Sequence, residues 1–366
     1  MRALSEARRV VVKIGSSSLT RPDGGLDLNR IDAVARVVAR WRRGGRQAVI
    51  VSSGAVAAGL DPLGFAFKPS DLASVQAAAA MGQGLLVARW TAAFHTHHVD
   101  AAQVLLTTED VMARDHYTNA TAALGRLLSL GVVPIVNEND AVTTRELRFG
   151  DNDRVAAIIA QMVQADALVL LTDVDGLYTA PPSRPGARLI ECVDSTDDLM
   201  SVLVTGAGSK VGTGGMASKV QAATMASASG IGVLLANADK VEEALSGKGT
   251  GTWFAPTHER PASRRLWIAH AAPSRGELVV DAGAARAITV GKKSLLAAGV
   301  VSVAGHFDAG DVVDIASPTG LVARGIVSYD ADSLAAIAGR SAPELEGTGW
   351  EHVRPVVHRD DLAPLL

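Results

Sequence analysis

Cysteine is almost absent from this chain, because Cys192 is the only one among 366 residues. A single thiol can form neither an intrachain disulfide nor a cysteine-based metal cluster, so both are excluded as sources of stability. With 48% hydrophobic and 20% charged residues, the composition is that of a globular protein, and the length predicts two domains. As a lone thiol, Cys192 is expected to be a packing residue and not a nucleophile.

Long hydrophobic runs are also missing. The N-terminal stretch MRALSEARRVVVKIG mixes charged and apolar residues where a signal peptide would need an apolar core. The uncharged stretch 72–88 is interrupted by Gln76, Gly82 and Gln83, which makes it a poor membrane span. The sequence therefore predicts a cytoplasmic protein with no membrane contact.

An excess of positive charge is missing as well. The formal net charge is −3, which gives no overall basic field for nucleic acid or anionic membranes. Lysine is scarce, and most of the positive charge is arginine. Lys13 and Lys219 therefore stand out, because each is a compact point charge placed close to glycines. We expect neither lysine to lie in the hydrophobic core.

Short apolar runs, by contrast, are frequent. They are continuous and not alternating, which is typical of strands buried on both faces of a parallel sheet. The runs are 9–14, 48–53, 132–137, 167–172 and 232–237. Helical patterns separate them, at 29–43, 71–80, 84–97, 117–130, 152–164 and 216–229. This alternation predicts an α/β fold, a three-layer sandwich with a mainly parallel central sheet.

The composition changes between residues 247 and 276, where Gly, Pro and Arg are dense. No long period continues through this segment, so we place a domain boundary there. After it, short strands alternate with Gly, Asp and Pro turns, which predicts a small β-rich, barrel-like domain. The predicted division is a first domain at 1–258, a linker at 259–275, the β-rich domain at 276–354 and a C-terminal tail at 355–366.

Small, polar and charged residues recur at the ends of the predicted strands. In an open parallel sheet, ligands bind at the carboxyl ends of the strands. These positions hold Lys13, Ser53, Asn137, Glu138, Asn139, Asp140, Asp151, Asn152, Asp153, Thr172, Asp173 and Asp175. Each group alone has a simpler interpretation, because Ser and Asp are common helix N-caps and Asp-Gly pairs are common in turns. Together they point to a phosphate-bearing ligand and a polar co-substrate.

The stretch VGTGGMASK, residues 211–219, opens a predicted helix. It lacks the Gly-Lys-Ser/Thr order of the Walker loop, and the preceding GAGSKVG lacks the third glycine of the dinucleotide fingerprint. Its glycines still let backbone N–H groups approach an anion, and the helix start adds a positive dipole end. Lys219, in the first turn, can reach the same anion. We therefore favour a phosphate loop over an ordinary glycine-rich surface loop.

Six motifs, in this order, resemble the amino acid kinase family: VVKIGSS, IVSSGAVAAG, VPIVNENDAV, FGDNDRVAA, LLTDVDGLY and GTGGMASK. The resemblance covers nearly the whole chain. The NENDAV and GDND motifs are similar to those of the branch of the family that phosphorylates L-glutamate. The C-terminal part resembles the PUA domain that many bacterial members of this branch carry.

The resemblance implies an enzyme that transfers the γ-phosphoryl group of ATP to the side-chain carboxylate of L-glutamate, at the head of proline biosynthesis. It implies that Lys13 and Lys219 neutralise phosphate charge and that Asp153 holds them in place. The implied glutamate-binding positions are Ser53, Asp140 and Asn152. The implied nucleotide-binding positions are Lys13, Thr172, Asp173, Thr213, Gly214, Gly215, Met216, Ala217, Ser218 and Lys219. Mg²⁺ is implied as well, held mainly through ATP and water, with no protein ligand assigned.

The resemblance also implies partners. They are L-glutamate as the substrate, proline as a feedback inhibitor, glutamyl-phosphate reductase as a contact and further copies of the chain in a homo-oligomer. No motif in the sequence indicates proline inhibition independently of this resemblance.

Two other interpretations stay open. One is another small-molecule kinase of the same fold, because the acidic residues indicate a substrate with a free amine without specifying which. The other is an RNA-binding protein, since PUA domains commonly bind RNA. Residues 276–366 hold twelve acidic and seven basic residues, a net charge of −5, and lack interleaved aromatic and basic positions. Phosphate binding needs basic residues, so nucleic acid is the minor expectation.

Overall fold

The computed structural model describes residues 2–21, 25–107, 110–111, 113–143, 152–194, 215–247, 251–256, 267–345 and 354–365. The chain divides into two compact units, residues 1–260 and 261–366. This division falls inside the predicted linker. Each unit has its own cluster of buried hydrophobic residues, so each has its own core.

The first unit is built around an eight-stranded sheet. Its strands are β1 (Arg9–Ile14), β2 (Gln47–Ser52), β3 (Ala101–Leu106), β4 (Val133–Glu138), β5 (Ala167–Thr172), β6 (Cys192–Val193), β7 (Gly232–Asn237) and β8 (Thr252–Phe254). The order is β3-β4-β2-β1-β5-β7-β8-β6, and neighbouring strands are parallel except β7 with β8. Every residue of β4 and β5 is buried, so both faces of the sheet are covered. This confirms the predicted α/β fold with a mainly parallel sheet.

Helices lie before and between the strands of this sheet, and most of them belong to the crossover connections that parallel pairing requires. They are α1 (Arg2–Glu6), α2 (Ser16–Leu19), α3 (Leu28–Trp41), α4 (Ala55–Leu60), α5 (Leu72–His95), α6 (Arg114–Ser129), α7 (Asn152–Met162), α8 (Met216–Ala228) and α9 (Val241–Ser246). The Asp27 side chain caps α3 by accepting a hydrogen bond from the Arg30 backbone N–H. Ile31, Val34 and Val38 then recur on its buried face. In the described part of the chain, the helices are all too short or too polar to span a membrane.

The predicted strands agree with β1, β2, β4, β5 and β7 to within one residue. Two predictions are wrong. The pattern indicates separate helices at 71–80 and 84–97, but α5 runs unbroken between them because Gly82 is buried against α4. The sheet-edge strand β3, AAQVLL, is missed because its partly exposed sequence, which begins with two alanines and a glutamine, does not resemble the other strands.

Helices α4 and α5 cross at two glycines, Gly59 and Gly82. A Cβ atom on Gly82 would lie 1.8 Å from the backbone oxygen of Ala55, and one on Gly59 would lie 1.9 Å from that of Ala78. Non-bonded atoms never approach so closely, so only glycine permits this crossing. The crossing matters for function because α4 begins two residues after Ser53, a predicted substrate position.

Replacing Gly82 by alanine should destabilise the protein by about 1–3 kcal/mol or more, because the added methyl group forces the two helices apart. The free energy of unfolding in urea measures this change. Gly125 in α6 is the matched control, because a Cβ atom there would meet no atom within 4 Å. Gly125→Ala should stabilise by roughly 0.5–1 kcal/mol, since alanine is the better helix former. Equal stabilities of the two variants would contradict the close crossing.

The second unit contains a five-stranded sheet. Its strands are β9 (Gly276–Val280), β10 (Val300–Gly305), β11 (Val312–Ser317), β12 (Gly320–Val327) and β13 (Val357–Pro364), and its described α-helices are α10 (Ala282–Thr289), α11 (Ala331–Ile337) and α12 (Ala342–Leu345). The order is β10-β9-β11-β12-β13, with only β9 and β11 parallel among these pairs. The predicted β-rich C-terminal region is therefore confirmed.

Candidate active site

The predicted functional residues lie at the carboxyl ends of the central strands. Lys13 is the fifth residue of β1, Ser53 follows β2 and Thr172 ends β5. Asn152 and Asp153 are the first two residues of α7. Because β1 is parallel to both β2 and β5, these three strand ends lie at the same edge of the sheet.

Asp153 joins two lysines at this edge. Its Oδ1 lies 2.6 Å from Lys13 Nζ, and its Oδ2 lies 2.9 Å from Lys219 Nζ. The Asp153 side chain is fully buried, that of Lys13 is 2% exposed and that of Lys219 is 13% exposed. With both lysines and the aspartate ionised, the three side chains carry one net positive charge. The cluster can therefore receive an anion, with Lys219 as its most accessible member.

The expectation that neither lysine lies in the core is wrong for Lys13. Its strand lies in the middle of the sheet, between β2 and β5, where helices cover both faces. Burying an ammonium group is unfavourable unless it is paired, and Asp153 supplies the pair. Lys13 is thus held in the interior by a carboxylate that it shares with Lys219.

The first turn of α8 brings two side chains to the same carboxylate. The Ser218 hydroxyl lies 3.3 Å from Asp153 Oδ2 and 3.1 Å from the backbone oxygen of Gly215. Lys219, the next residue, makes the ion pair already described. The start of α8 and the start of α7 therefore meet at Asp153, and both helix N-termini favour nearby negative charge.

The described residues include part of the predicted phosphate loop. Gly215 precedes α8, and Met216 and Ala217 lie in its first turn. Gly215 and Ala217 are exposed, so their backbone can be reached from solvent. Thr213 and Gly214, the other two predicted loop residues, lie outside the described residues.

A chain of side-chain hydrogen bonds runs from Ser53 to α5. Asn152 Nδ2 donates to Ser53 Oγ at 2.7 Å and to Asn137 Oδ1 at 3.0 Å. Asn137 Nδ2 in turn donates to Gln83 Oε1 at 2.8 Å. Two predicted substrate residues, Ser53 and Asn152, are thereby fixed relative to β4 and α5.

A cleft of about 250 Å³ shares Gln83 with this chain of hydrogen bonds. It is lined by Ala55, Ala79, Ala80, Gln83, Gly84, Gln103, Leu105, Glu138, Asn139, Asp140 and Ala141. Asp140, the third predicted substrate residue, is half-buried in its wall, and Glu138 is buried beside it. With Glu138 and Asp140 in its lining, this cleft is suited to a small ligand with a positively charged group.

Thr172 and Asp173 lie at the end of β5, where nucleotide contacts are expected. The Thr172 hydroxyl is buried and donates to Asp173 Oδ1 at 2.9 Å, while Asp173 itself is exposed. Two residues on, Asp175 Oδ1 lies 3.0 Å from Lys240 Nζ. This hydrogen bond raises the pKa of Lys240 and keeps its ammonium group charged.

Two residues of this region are missed by the sequence analysis. Lys240 follows the end of β7, so the rule that ligands lie at strand ends could have found it. Gln83 lies inside a helix, in the stretch AAAAMGQG, and its one signal is that it is polar in an apolar run. In the sequence, Gln83 is noted only as a polar residue that interrupts an apolar stretch, and no function is predicted for it.

The described residues contain no group of three His, Cys, Asp or Glu side chains that could hold a metal ion. Desolvation by nearby atoms raises the pKa of the Cys192 thiol to about 11, and its hydrogen bond to Asp194 contributes to that rise. The thiol is therefore protonated at neutral pH and unsuited to act as a nucleophile.

Comparison with known proteins shows the family to which this chain belongs. The amino acid kinase family matches residues 8–237, and the PUA domain matches residues 276–347. Glutamate 5-kinase from Streptomyces coelicolor is 52% identical over 99% of this chain and 98% of its own length. Glutamate 5-kinase from Salinispora arenicola is 53% identical over 99% of both chains. In solved structures, carbamate kinase from Giardia lamblia bound to AMP-PNP shares the fold, with a TM-score of 0.53 at 17% identity, covering 69% of this chain and 99% of its own.

The parallel sheet, the paired lysines and these matches together define the class: the chain belongs to the amino acid kinase family. Its second unit carries a PUA domain. Within the family, the chain groups with the glutamate 5-kinases, which it matches over nearly its whole length.

Proposed function

We infer that this chain transfers the γ-phosphoryl group of ATP to the side-chain carboxylate of L-glutamate. The product is L-glutamyl 5-phosphate, and the reaction is the first step of proline biosynthesis. The observation that carries this function is the pairing of Lys13 and Lys219 on one buried carboxylate. It occurs in a chain that matches glutamate 5-kinases along 99% of its length.

The nucleophile in this reaction is the substrate itself. The side-chain carboxylate of glutamate ordinarily has a pKa of about 4.3 and is ionised at neutral pH, so no general base is needed. What the reaction needs is alignment of the two substrates and stabilisation of negative charge on the moving phosphoryl group. The paired lysines and the two helix N-termini provide that stabilisation.

Lys13 and Lys219 are proposed to act on the transferred phosphoryl group, with Asp153 as the residue that holds them. Both ammonium groups are fixed before substrate binds, because each is within 3 Å of a carboxylate oxygen. Charges that are already in place need no reorganisation as the transition state forms. Lys219, as the more exposed of the two, is the one able to follow the phosphoryl group as it moves.

We assign glutamate binding to Ser53, Asp140 and Asn152. Asn152 Oδ1 is buried and has no hydrogen-bond partner among the described residues, so it can accept from the substrate ammonium. Asp140 adds negative charge to the cleft. Ser53 Oγ accepts from Asn152, which leaves the hydroxyl proton of Ser53 to donate to a carboxylate.

We assign the nucleotide to Thr172, Asp173 and the stretch 213–219, with Lys13 reaching its phosphates. ATP is the co-substrate. The described residues form no metal-binding cluster, and both oxygens of Asp153 are engaged by lysines. We propose that Mg²⁺ enters as part of the ATP complex, held by phosphates and water, where it would neutralise phosphate charge.

A hydroxamate assay tests the proposed function. With ATP, Mg²⁺ and hydroxylamine, the purified protein should form γ-glutamyl hydroxamate from L-glutamate. N-acetyl-L-glutamate should be a poor substrate, because acetylation removes the ammonium group that Asp140 and Asn152 are proposed to bind. L-Aspartate should also be poor, since its side chain is one methylene shorter. If acetylglutamate reacts as well as glutamate, the assigned role of these two residues is wrong.

We propose four further properties because the chain belongs to this family. They are a cytoplasmic location, feedback inhibition by proline, contact with glutamyl-phosphate reductase and assembly into a homo-oligomer. For the PUA domain at 276–354 we propose a structural or regulatory role. The net charge of −5 over residues 276–366 argues against RNA binding there.

A further inference from the structure

The side-chain amide of Gln83 is only half paired. Its Oε1 accepts a hydrogen bond from Asn137 Nδ2 at 2.8 Å. Its Nε2 is buried and has no partner among the described residues. A buried donor without an acceptor is unfavourable, so a native structure that keeps one calls for a partner supplied from elsewhere.

With Asn152 Nδ2 donating to both of its neighbours, as the structure has it, the remaining hydrogen bonds determine which end of the Gln83 amide is free. Asn152 Nδ2 gives its two protons to Ser53 Oγ and Asn137 Oδ1. Asn137 Oδ1 is then already an acceptor, so Asn137 donates through its Nδ2 and Gln83 accepts through its Oε1. Turning the Gln83 amide over would place two donors against each other. The free group is therefore an N–H₂ donor, which requires an acceptor.

Gln83 belongs to the lining of the proposed substrate cleft. Gln83 lines the cleft together with Glu138 and Asp140. Its neighbour Gly82 is the residue at which α5 touches the backbone of Ala55 in α4. The backbone next to Gln83 is thus held by a contact that leaves no room for a side chain at position 82, and the Gln83 amide is held by its hydrogen bond from Asn137.

The chemistry of the cleft indicates what the donor meets. The described residues that line it include two carboxylates and no lysine, arginine or histidine. An amino-acid substrate carries both an ammonium group and an α-carboxylate. Glu138 and Asp140 suit the ammonium group, and among the described lining residues the side-chain donors left for the α-carboxylate are neutral amides such as that of Gln83.

We propose that Gln83 Nε2 donates a hydrogen bond to the α-carboxylate of the amino-acid substrate and thereby helps to determine specificity. This role rests on the proposed function, since it assumes that glutamate occupies the cleft. It also explains why the chain of hydrogen bonds extends from Ser53 to α5. Both ends of the substrate are then held by one connected set of side chains.

The test compares two ligands that differ in the α-carboxylate. One is L-glutamate, measured by its KM in the hydroxamate assay, and the other is 4-aminobutyrate, measured as a competitive inhibitor. Gln83→Met removes the donor without adding charge, and should raise the KM for L-glutamate about ten- to hundredfold. The inhibition constant of 4-aminobutyrate should change less than about twofold, because it has no group for Gln83 to bind. The KM for ATP should not move.

Gln83→Glu is the second variant, because it keeps an oxygen for Asn137 and exchanges the donor for a repelling carboxylate. Its KM for L-glutamate should rise further than that of Gln83→Met. Gln76→Met is the matched control on α5, since Gln76 Nε2 already donates to the backbone oxygen of Thr143 at 3.3 Å. It should leave the preference for L-glutamate over 4-aminobutyrate unchanged.

Two results would overturn this role. An unchanged KM for L-glutamate in a folded Gln83→Met enzyme would show that the amide does not touch the substrate. An equal loss for both ligands would show that Gln83 only supports Asn137. A wild-type protein that makes no hydroxamate from L-glutamate would instead overturn the proposed function itself, and this is measured first.

Discussion

Replacing Asp153 by asparagine should both destabilise the protein and remove most of its activity. The side chain is fully buried and pairs with two lysines, one of which is itself only 2% exposed. Asparagine has nearly the same shape but no charge, so Lys13 would lose the carboxylate charge that compensates its buried ammonium group. Removing one partner of a buried ion pair typically costs about 3–5 kcal/mol. Urea unfolding and kcat, measured on the same preparation, check both effects.

Asp175→Asn is the matched control for stability. Asp175 also pairs with a lysine, Lys240, but both side chains are about one-third exposed. Water can replace the lost partner there, so the free energy of unfolding should change far less than in Asp153→Asn. Equal free energies of unfolding for the two variants would show that the buried charge pairing of Asp153 does not contribute to stability. An Asp153→Asn enzyme with normal kcat would show that the two lysines need no fixed carboxylate.

Lys219→Ala should lower kcat about a hundredfold or more, which corresponds to roughly 3–4 kcal/mol of lost transition-state stabilisation. The loss should fall mainly on kcat, because the charge that the lysine stabilises is greatest in the transition state. Lys219→Arg should not restore the rate, since a planar guanidinium is bulkier than an ammonium group. Steady-state kinetics with circular dichroism check the rate and the fold together.

Lys13→Ala should lower kcat in the same way, and it should also reduce stability because Lys13 is buried. The double variant should lose less than the sum of the two single losses, since both lysines contact one carboxylate and serve one charge. Lys68, an exposed lysine, provides the control, and Lys68→Ala should leave kcat unchanged. A folded Lys219→Ala enzyme with normal kcat would reduce the glycine-rich stretch to an ordinary surface loop.

The sequence predicted the sheet well because its strands are continuous apolar runs between helices. β5, ALVLLT, is buried at all six positions and was recognisable for that reason. The same rule selected the candidate site residues, because Lys13, Ser53 and Thr172 lie at or next to strand ends. β3 could not be recognised, since an edge strand is partly exposed and lacks the continuous apolar pattern.

The sequence could not show which of the candidate residues meet. The shared carboxylate of Asp153 depends on two helix starts that are 64 residues apart in the chain, Asn152 and Met216. The burial of Lys13 depends on the helices packed over β1, which no local pattern records. The position of Gln83 depends on the close approach of α4 and α5. That approach is possible only because residues 59 and 82 are glycines.

The central claim is that the γ-phosphoryl group moves to the side-chain carboxylate of L-glutamate. The most direct measurement uses L-glutamate labelled with ¹⁸O at both oxygens of that carboxylate, together with ATP, Mg²⁺ and hydroxylamine. If the carboxylate oxygen attacks phosphorus, that oxygen becomes the bridge of the acyl phosphate. Hydroxylamine then attacks the carbonyl carbon and releases the bridging oxygen with the phosphate. Mass spectrometry should find one ¹⁸O in each inorganic phosphate released with the hydroxamate, whereas unlabelled phosphate would contradict transfer to the carboxylate.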